Sequence, residues 1–420
     1  MKKKLFLITE EFPYEHGEDT FVGLEYPLLC EQFDLRVITT GVRNADVSKD
    51  AGDYRNVSVI SPDQTPLEKI YSMICFLMRK ECYREMLDIL KSGELCVQRI
   101  FRELMYGTAA VTFFRRLKKT AGLAKDTEAI FYFYWFDYRC FALCMNKKRY
   151  PDIHIITRTH GRDLYDEREL YGKQFFKPQM DQNLDRIIFA AQYAKEYYLQ
   201  RYHKKDADKY IVHRLGVASK MVSVSDRKKL FDQDKPFLIL SCSGAIPIKR
   251  IELIIEGLSN IHSVEQKIRW VHIGDGDVLD MLEELAEKKL GTNTNVEYCF
   301  MGQMPNEQVL EYYNRQYVGC FITTTGTEGG APVAVQEALS FGVPVIATRV
   351  GELPLMVEGN GLLCSENADG AEIGDRISQM ASLYGTEDYW EMCQKALDKF
   401  NLYFNAAHNF PEAVADINTI

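Results

Sequence analysis

Residues 327–348 read Thr-Glu-Gly-Gly-Ala-Pro-Val-Ala-Val-Gln-Glu-Ala-Leu-Ser-Phe-Gly-Val-Pro-Val-Ile-Ala-Thr, which spells a loop, a helix and a strand in that order. The run before it, Val-Gly-Cys-Phe-Ile-Thr-Thr-Thr at 318–325, is apolar and β-branched enough for a buried strand. Gly329 and Gly330 let backbone amides come close to a ligand. Pro332 suits the first helical position, where its missing N–H costs nothing, and Gly342 stands where the helix would end. The free N–H groups and positive dipole end of such a helix lie beyond the carboxyl edge of the strand, where open α/β sheets bind ligands. The stretch therefore predicts an anion site, with phosphate as the first candidate. Glu328 at its mouth and Glu337 inside the helix are carboxylates beside an anion site, as expected of acceptors for sugar or ribose hydroxyls. The competing reading is a solvated acidic turn followed by an ordinary surface glutamate.

Working outward, apolar strands and amphipathic helices alternate along the whole chain, the pattern of doubly wound parallel sheets. Strands are expected at 4–9, 35–40, 57–60, 129–135, 154–158, 186–190 and 210–215, and again at 237–242, 268–273, 296–300, 318–323, 343–347 and 361–364. A long helical region at 67–123 is expected to break near Ser92-Gly93 and at Gly107. With 420 residues the chain suits two domains. We expect an N-terminal domain at 1–215, a polar linker at 216–235, a C-terminal domain at 236–395, and a helical segment at 396–420 packing back on the first. The natural site is then the cleft between the two domains.

Composition narrows the function classes. A content of 46% apolar and 26% charged residues is that of a soluble globular protein, and no run approaches the length needed to span a bilayer. The opening Met-Lys-Lys-Lys-Leu-Phe-Leu-Ile-Thr-Glu-Glu reads as a first strand and not as a signal peptide. Eleven cysteines without a CxxC pair or Cys/His cluster point to a reducing compartment, and so to the cytoplasm. Lys and Arg number 35 against 31 Asp and Glu in residues 1–215, and 16 against 29 in residues 216–420. The basic excess concentrates at 97–119, where Arg99, Arg102, Arg115, Arg116, Lys118 and Lys119 interleave with apolar residues. That region is either an amphipathic surface for anionic lipid or a helix pair with a solvated basic face. Nothing makes a case for nucleic acid.

Three further segments carry chemistry. In Ser-Cys-Ser-Gly-Ala-Ile-Pro-Ile-Lys-Arg, residues 241–250, Lys249 and Arg250 enter a helix start, where cations need an anion to offset them. His160, in Thr159-His160-Gly161-Arg162-Asp163, follows a strand end and can reach a substrate hydroxyl, although a structural histidine fits as well. Gly274-Asp275-Gly276-Asp277 offers either a metal-holding Asp pair or a helix N-cap, and no further acids converge on it. The loop 13–20 after the first strand has one glycine, Gly17, and is no dinucleotide fingerprint.

Together these motifs resemble the family-4 retaining glycosyltransferases of the GT-B architecture, which build bacterial surface polysaccharides and glycolipids. The segments that carry the resemblance are Glu11-Phe12-Pro13-Tyr14 through Phe21, Val22 and Glu25, Arg158-Thr159-His160-Gly161, Pro247-Ile248-Lys249-Arg250, Ile273-Gly274-Asp275-Gly276, and 328–348 with its two glutamates. The resemblance implies an α/β fold of two Rossmann-like doubly wound parallel-sheet domains facing a central cleft. It also implies transfer of a hexose from a nucleotide-diphosphate sugar, UDP before GDP, to a glycan or lipid-linked acceptor with retention of configuration. Gly17 would let the first loop approach the donor diphosphate, and Lys249 would neutralise it with Arg250 and the amides of Gly329, Gly330 and Ala331. Glu328 would hold the transferred sugar, Glu337 the ribose and His160 a sugar hydroxyl. No metal and no other cofactor is expected, and association with the inner membrane face through 97–119 becomes the favoured reading. The chain departs from the family in having one extra residue between its glutamates, expected as a bulge at Gly329. It departs again in carrying Gly244 where many members carry an arginine. The alternatives are a sugar-nucleotide epimerase of the same architecture and a non-catalytic partner of a true transferase.

Overall fold

The computed structural model describes residues 2–14, 16–41, 54–91, 96–169, 172–218, 223–261 and 266–420. The chain divides into unit 1, Met1–His213 with Phe410–Ile420, and unit 2, Arg214–Asn409.

Among the described residues unit 1 has the strands β1 (Lys4–Thr9), β2 (Asp34–Thr39), β3 (Val57–Val59), β4 (Ala129–Phe133), β5 (Ile153–Thr159), β6 (Arg186–Phe189) and β7 (Tyr210–Val212). They are parallel, in the order β3-β2-β1-β4-β5-β6-β7. The helices are α1 (His16–Gln32), α2 (Pro66–Leu77), α3 (Lys80–Lys91), α4 (Val97–Thr120), α5 (Tyr138–Cys144), α6 (Gly161–Leu164), α7 (Lys177–Asp181) and α8 (Gln192–Arg201). Parallel strands are covered on both faces and so read as unbroken apolar runs. Successive side chains of β1 show it, with Phe6 and Ile8 in one core cluster and Leu5 and Leu7 in the other. Phe6 stacks on its register partner Phe131 at 4.7 Å between ring centroids.

Unit 2 repeats the plan with β8 (Phe237–Cys242), β9 (Ile268–Ile273), β10 (Val296–Phe300), β11 (Cys320–Thr323), β12 (Val345–Thr348) and β13 (Gly361–Cys364), in the order β10-β9-β8-β11-β12-β13. Its helices are α9 (Val224–Leu230), α10 (Glu252–Ser259), α11 (Leu279–Leu290), α12 (Asn306–Arg315), α13 (Val333–Ser340), α14 (Leu353–Val357), α15 (Gly370–Leu383) and α16 (Glu387–Tyr403), and α17 (Ala406–Asn418) closes the chain. In each sheet the strand order reverses once, at β1/β4 and at β8/β11. Ligands of such sheets bind beyond the carboxyl ends of the strands at those switch points.

Three expectations change. The helix α4 runs unbroken through Gly107, because a Cβ there would lie 2.2 Å from the Phe76 ring of α2. That glycine admits an aromatic ring and does not end a helix. The break falls instead between α2 and α3, while residues 92–95 lie outside those described. The stretch 216–235, read as a linker, contains α9, whose buried Arg227 donates to the carbonyls of Phe341 and Val318 within unit 2. The chain returns to unit 1 only at Phe410, where Val414 and Ile417 join its core and His213 bonds Asp416 at 2.6 Å.

Candidate functional site

At the β8/β11 switch point of unit 2, the loop after β8 is held by the turn after β9. Ser243 N–H donates to Ile273 O at 3.0 Å, Ala245 N–H to Asp275 O at 2.9 Å, and Val278 N–H to Ala245 O at 3.1 Å. Gly274 sits at φ 144°, where a Cβ would fall 1.9 Å from Ser243 O, so only glycine lets the two backbones meet. The Gly-Asp-Gly-Asp turn thus clamps the lysine loop. Its two aspartates are exposed, and Asp275 accepts the N–H of Gly276. Among the described residues no three His, Cys, Asp or Glu side chains gather as a metal site.

The clamped loop ends in a 3-10 turn, Pro247–Lys249. The Lys249 ammonium pairs with Glu328 from the loop after β11. Arg250 donates through Nε to Thr324 O (2.8 Å) and through Nη2 to Thr325 O and Glu366 O (both 3.0 Å). Most of its guanidinium therefore joins loops together, and only Nη1 is left for a ligand. Glu328 is held from the other side by Gly351, where a Cβ would come 2.6 Å from Glu328 O.

Past Glu328 the buried Gly329 is followed by Gly330, where a Cβ would meet nothing within 4 Å. Protein packing gives no reason for glycine there. Pro332 is the N-cap of α13 and not its first residue. The N–H groups of Gly330, Ala331, Val333 and Ala334 find no acceptor among the described residues, as a helix start leaves them. Gly342, at φ 65°, ends α13 in a Schellman arrangement, with Gly342 N–H on Leu339 O and Val343 N–H on Ala338 O. One turn into the helix, Glu337 is buried and accepts a bond from Asn306 Nδ2 of α12 at 2.5 Å. Burial pushes its carboxyl up to about 6, against the opposing pull of Asn306. Burial, helped by that carboxylate, pushes the neighbouring Cys242 thiol up to about 12. Asn306 escapes a sequence reading, because an asparagine after Pro305 at a helix start looks like a cap.

In unit 1 the β1/β4 switch point is built around Glu18. Its carboxylate accepts the backbone N–H groups of Glu10 (3.1 Å), Glu11 (2.7 Å) and Phe12 (2.7 Å), and the indole N–H of Trp135. Gly17 lies in the first turn of α1, and its surroundings fall outside the described residues. His160 follows β5, and its backbone N–H donates to Asp163 Oδ1 at 2.6 Å. Its ring lies 4.5 Å from that of Trp135 and 5.2 Å from that of Tyr134. The residue is half-buried, but both ring nitrogens are shut from solvent without a hydrogen-bond partner among the described residues. Burial, then Arg158 and Arg162, lower its pKa to about 3, so the imidazole is neutral and offers one donor and one acceptor. Beneath it the fully buried Arg158 pairs with Glu25 (3.4 Å), donates to Tyr132 Oη (2.7 Å) and reaches His213 O (3.1 Å). Glu25 and Arg158 thus support the histidine from within the core.

The basic region 97–119 does not form a free cationic face. Arg99 is buried, Arg102 pairs with Glu169, Arg115 lies over the Tyr71 ring at 4.8 Å, and Arg116 bonds Ser61 O, Asp63 O and Glu68. Arg115, Lys118 and Lys119 remain exposed. Among the described residues no helix is long and apolar enough to cross a membrane.

Residues 223–396 match the family Glycosyl transferases group 1. The amylovoran biosynthesis glycosyltransferase AmsK of Erwinia amylovora is 25% identical over 159 residues, 37% of this chain and 37% of that protein. The O-antigen biosynthesis glycosyltransferase WbnH of Escherichia coli is 25% identical over 201 residues, 47% of this chain and 54% of that one. The match thus spans about a third to a half of these relatives' length. Among solved structures, Anabaena Alr3699/HepE in complex with UDP and glucose superposes with a TM-score of 0.67 at 14% identity, covering 99% of this chain and 100% of that one. The apo form of the lipopolysaccharide outer core galactosyltransferase WaaB gives a TM-score of 0.66 at 14% identity, over 99% and 100%. The fold is GT-B.

Proposed function

We propose that the protein is a retaining, metal-independent glycosyltransferase that moves a hexose from a nucleotide-diphosphate sugar to a glycan or lipid-linked acceptor in cell-surface polysaccharide synthesis. The observation that carries this reading is the Lys249–Glu328 ion pair set at the β8/β11 switch point beside the open N-terminus of α13. An ammonium has three donors, and Glu328 takes one. The other two, the amides of Gly330 and Ala331 and the dipole of α13 offset a diphosphate without a cation. Glu337 accepts the ribose hydroxyls, Glu328 those of the sugar, and neutral His160 one further hydroxyl.

In the reaction the bond from the anomeric carbon to the diphosphate breaks, through an oxocarbenium-like state. The acceptor hydroxyl attacks on the same face, and its proton passes to the departing diphosphate oxygen. UDP is the preferred carrier and GDP the second. The UDP complex of the Anabaena protein of the same fold supports that order, and the names of the bacterial relatives support a polysaccharide acceptor. Work at the cytoplasmic face of the membrane follows from such an acceptor.

The test is the melting temperature of the purified protein with UDP, GDP, ADP, NAD and UDP- and GDP-sugars, with and without EDTA. A rise with one nucleoside diphosphate that survives EDTA is expected, since ligand at a hundred times its Kd adds about 2.7 kcal/mol. In Lys249→Ala that affinity should weaken by about 1.5–3 kcal/mol, the worth of a charge-assisted bond. A response to NAD alone, or to no nucleotide, overturns the reading.

A further inference from the structure

The face of unit 1 built by α2 and α3 is apolar where it meets water. On α2 the exposed Leu67, Ile70 and Ile74, continued by the C-cap residue Met78, fall within one arc of the helix, opposite the buried Ser72 and Phe76. Leu67 and Met78 are each 80% exposed. A surface helix ordinarily turns one apolar stripe to the core and a polar one outward. This one is apolar on both sides. On α3 the exposed Tyr83, Leu87 and Leu90 recur at i, i+4 and i+7, and the exposed charged residues of the helix are Lys80, Arg84 and Lys91 against one acid, Asp88. Phe101 near the start of α4 is also 62% exposed.

Where α2 meets α3, the chain opens a hollow of about 820 Å³ with Met78 at its edge. Lys80, Arg84, Lys148 and Arg149 line it, without a protein partner among the described residues, and Glu81 is its one acid. The hollow lies by the C-terminal end of α5, away from the strand ends that carry His160 and Trp135.

We infer that the α2–α3 face docks on an anionic lipid bilayer, with apolar side chains entering the acyl boundary and headgroup phosphates meeting the cations of the hollow. Apolar residues flanked by Lys and Arg on one exposed face are what an interfacial helix needs. Charge decides between lipid and a second copy of this chain. A two-fold interface sets a patch against itself, so the cations of the hollow, with Glu81 as its one acid, would meet a face of like charge. An anionic surface complements them. The surface replaces α4 as the site of membrane contact, and it stands whether or not the protein transfers a sugar.

The experiment is co-sedimentation of the full chain with vesicles of phosphatidylcholine alone and with added phosphatidylglycerol, at low and high salt. Binding to the anionic vesicles that weakens with salt is expected. Ile74→Glu with Met78→Glu should lower it at least tenfold. Arg84→Gln and Arg149→Gln should each lower it about fivefold, the worth of one cation near such a surface. Lys288→Gln with Lys289→Gln, exposed on α11 of unit 2, should change nothing. All substituted positions are exposed, and unchanged melting checks the fold. The inference is overturned by absence of anionic-vesicle binding, by equal binding of the Ile74/Met78 variant, or by a dimer in light scattering that the same variant dissociates.

Discussion

At the β1/β4 switch point of unit 1 the protein answers its own charges, whereas at β8/β11 of unit 2 the answer is incomplete. The Glu18 carboxylate receives three backbone amides and an indole, and Arg158 is spent on Glu25, Tyr132 and His213. His160 among them is neutral. In unit 2, Lys249 has one carboxylate partner, and four amides around the start of α13 have no acceptor among the described residues. Two sheets of one topology thus finish differently. At one edge these charged side chains are bonded within the protein, and the other holds donors arranged for an anion. The difference lies in the loops and not in the sheets, since function is grafted on a fold and not implied by it.

The largest effect that tests this contrast comes from Glu328→Gln. If the unfinished edge is where charge develops, sugar transfer should fall about 10²–10³-fold, or about 2.7–4 kcal/mol. Folding should respond far less, because a glutamine at 328 keeps an oxygen that accepts from the Lys249 ammonium. Initial rates of nucleotide release, read beside a melting curve, separate the two. A variant that keeps most of its rate would place the chemistry elsewhere.

Glu337 sharpens the contrast, because it is a carboxylate that the fold tolerates at a cost. Its pKa of about 6 lies above the unfolded value of 4.5, so at pH 7 the folded state carries a buried charge that the unfolded chain holds more easily. That penalty is full above pH 6 and relaxes as pH falls toward 4.5. The difference of about 1.5 units corresponds to about 2 kcal/mol. Glu337→Gln should therefore raise stability at pH 7 by up to about 2 kcal/mol and lower UDP affinity. In the unchanged protein UDP affinity should decline below pH 6. Denaturant melts and nucleotide titrations measure both, and a destabilised variant would mean that the Asn306 bond outweighs burial.

The strands were legible because each is an apolar run covered on both faces, as Phe-Leu-Ile-Leu-Ser-Cys in β8 shows. The two-glutamate loop was legible because proline, paired glycines and an apolar helix must occur in that order to aim amides at a ligand. What escaped depends on contacts between residues distant in the chain. Gly107 looks like a helix breaker until Phe76 is seen against it, 31 residues away in sequence. Asn306 and Glu337 are separated by the same distance, and neither announces the other. The clustered cations at 97–119 overstated a charged face, because sequence does not show that Glu169, Glu68 and the carbonyls at 61 and 63 consume them. The α2 side opposite Phe76 is apolar and stands in solvent, which no local pattern distinguishes from a core-facing stripe.

The smallest effect belongs to the settled edge. His160 titrates near 3 in the folded state and near 6.5 when unfolded, so between those values the unfolded chain binds the extra proton. Its contribution is intact above pH 6.5 and is lost as pH falls toward 3, with a slope of at most about 1.4 kcal/mol per pH unit. Asp163, raised to about 6 by burial, runs the other way between 6 and its unfolded 3.8, and His272, lowered to about 4 by burial, adds to the loss. The total slope is therefore mixed, but a difference isolates one group. His160→Asn keeps the backbone N–H that Asp163 accepts and removes only the titrating ring. Its stability, from denaturant melts at pH 7 and pH 5, should fall less than that of the unchanged protein by up to about 2 kcal/mol. Equal losses would mean that the ring takes its proton without leaving its place against Trp135. Unit 1 would then be able to carry charge at its switch point, and the division of labour between the two edges would not hold.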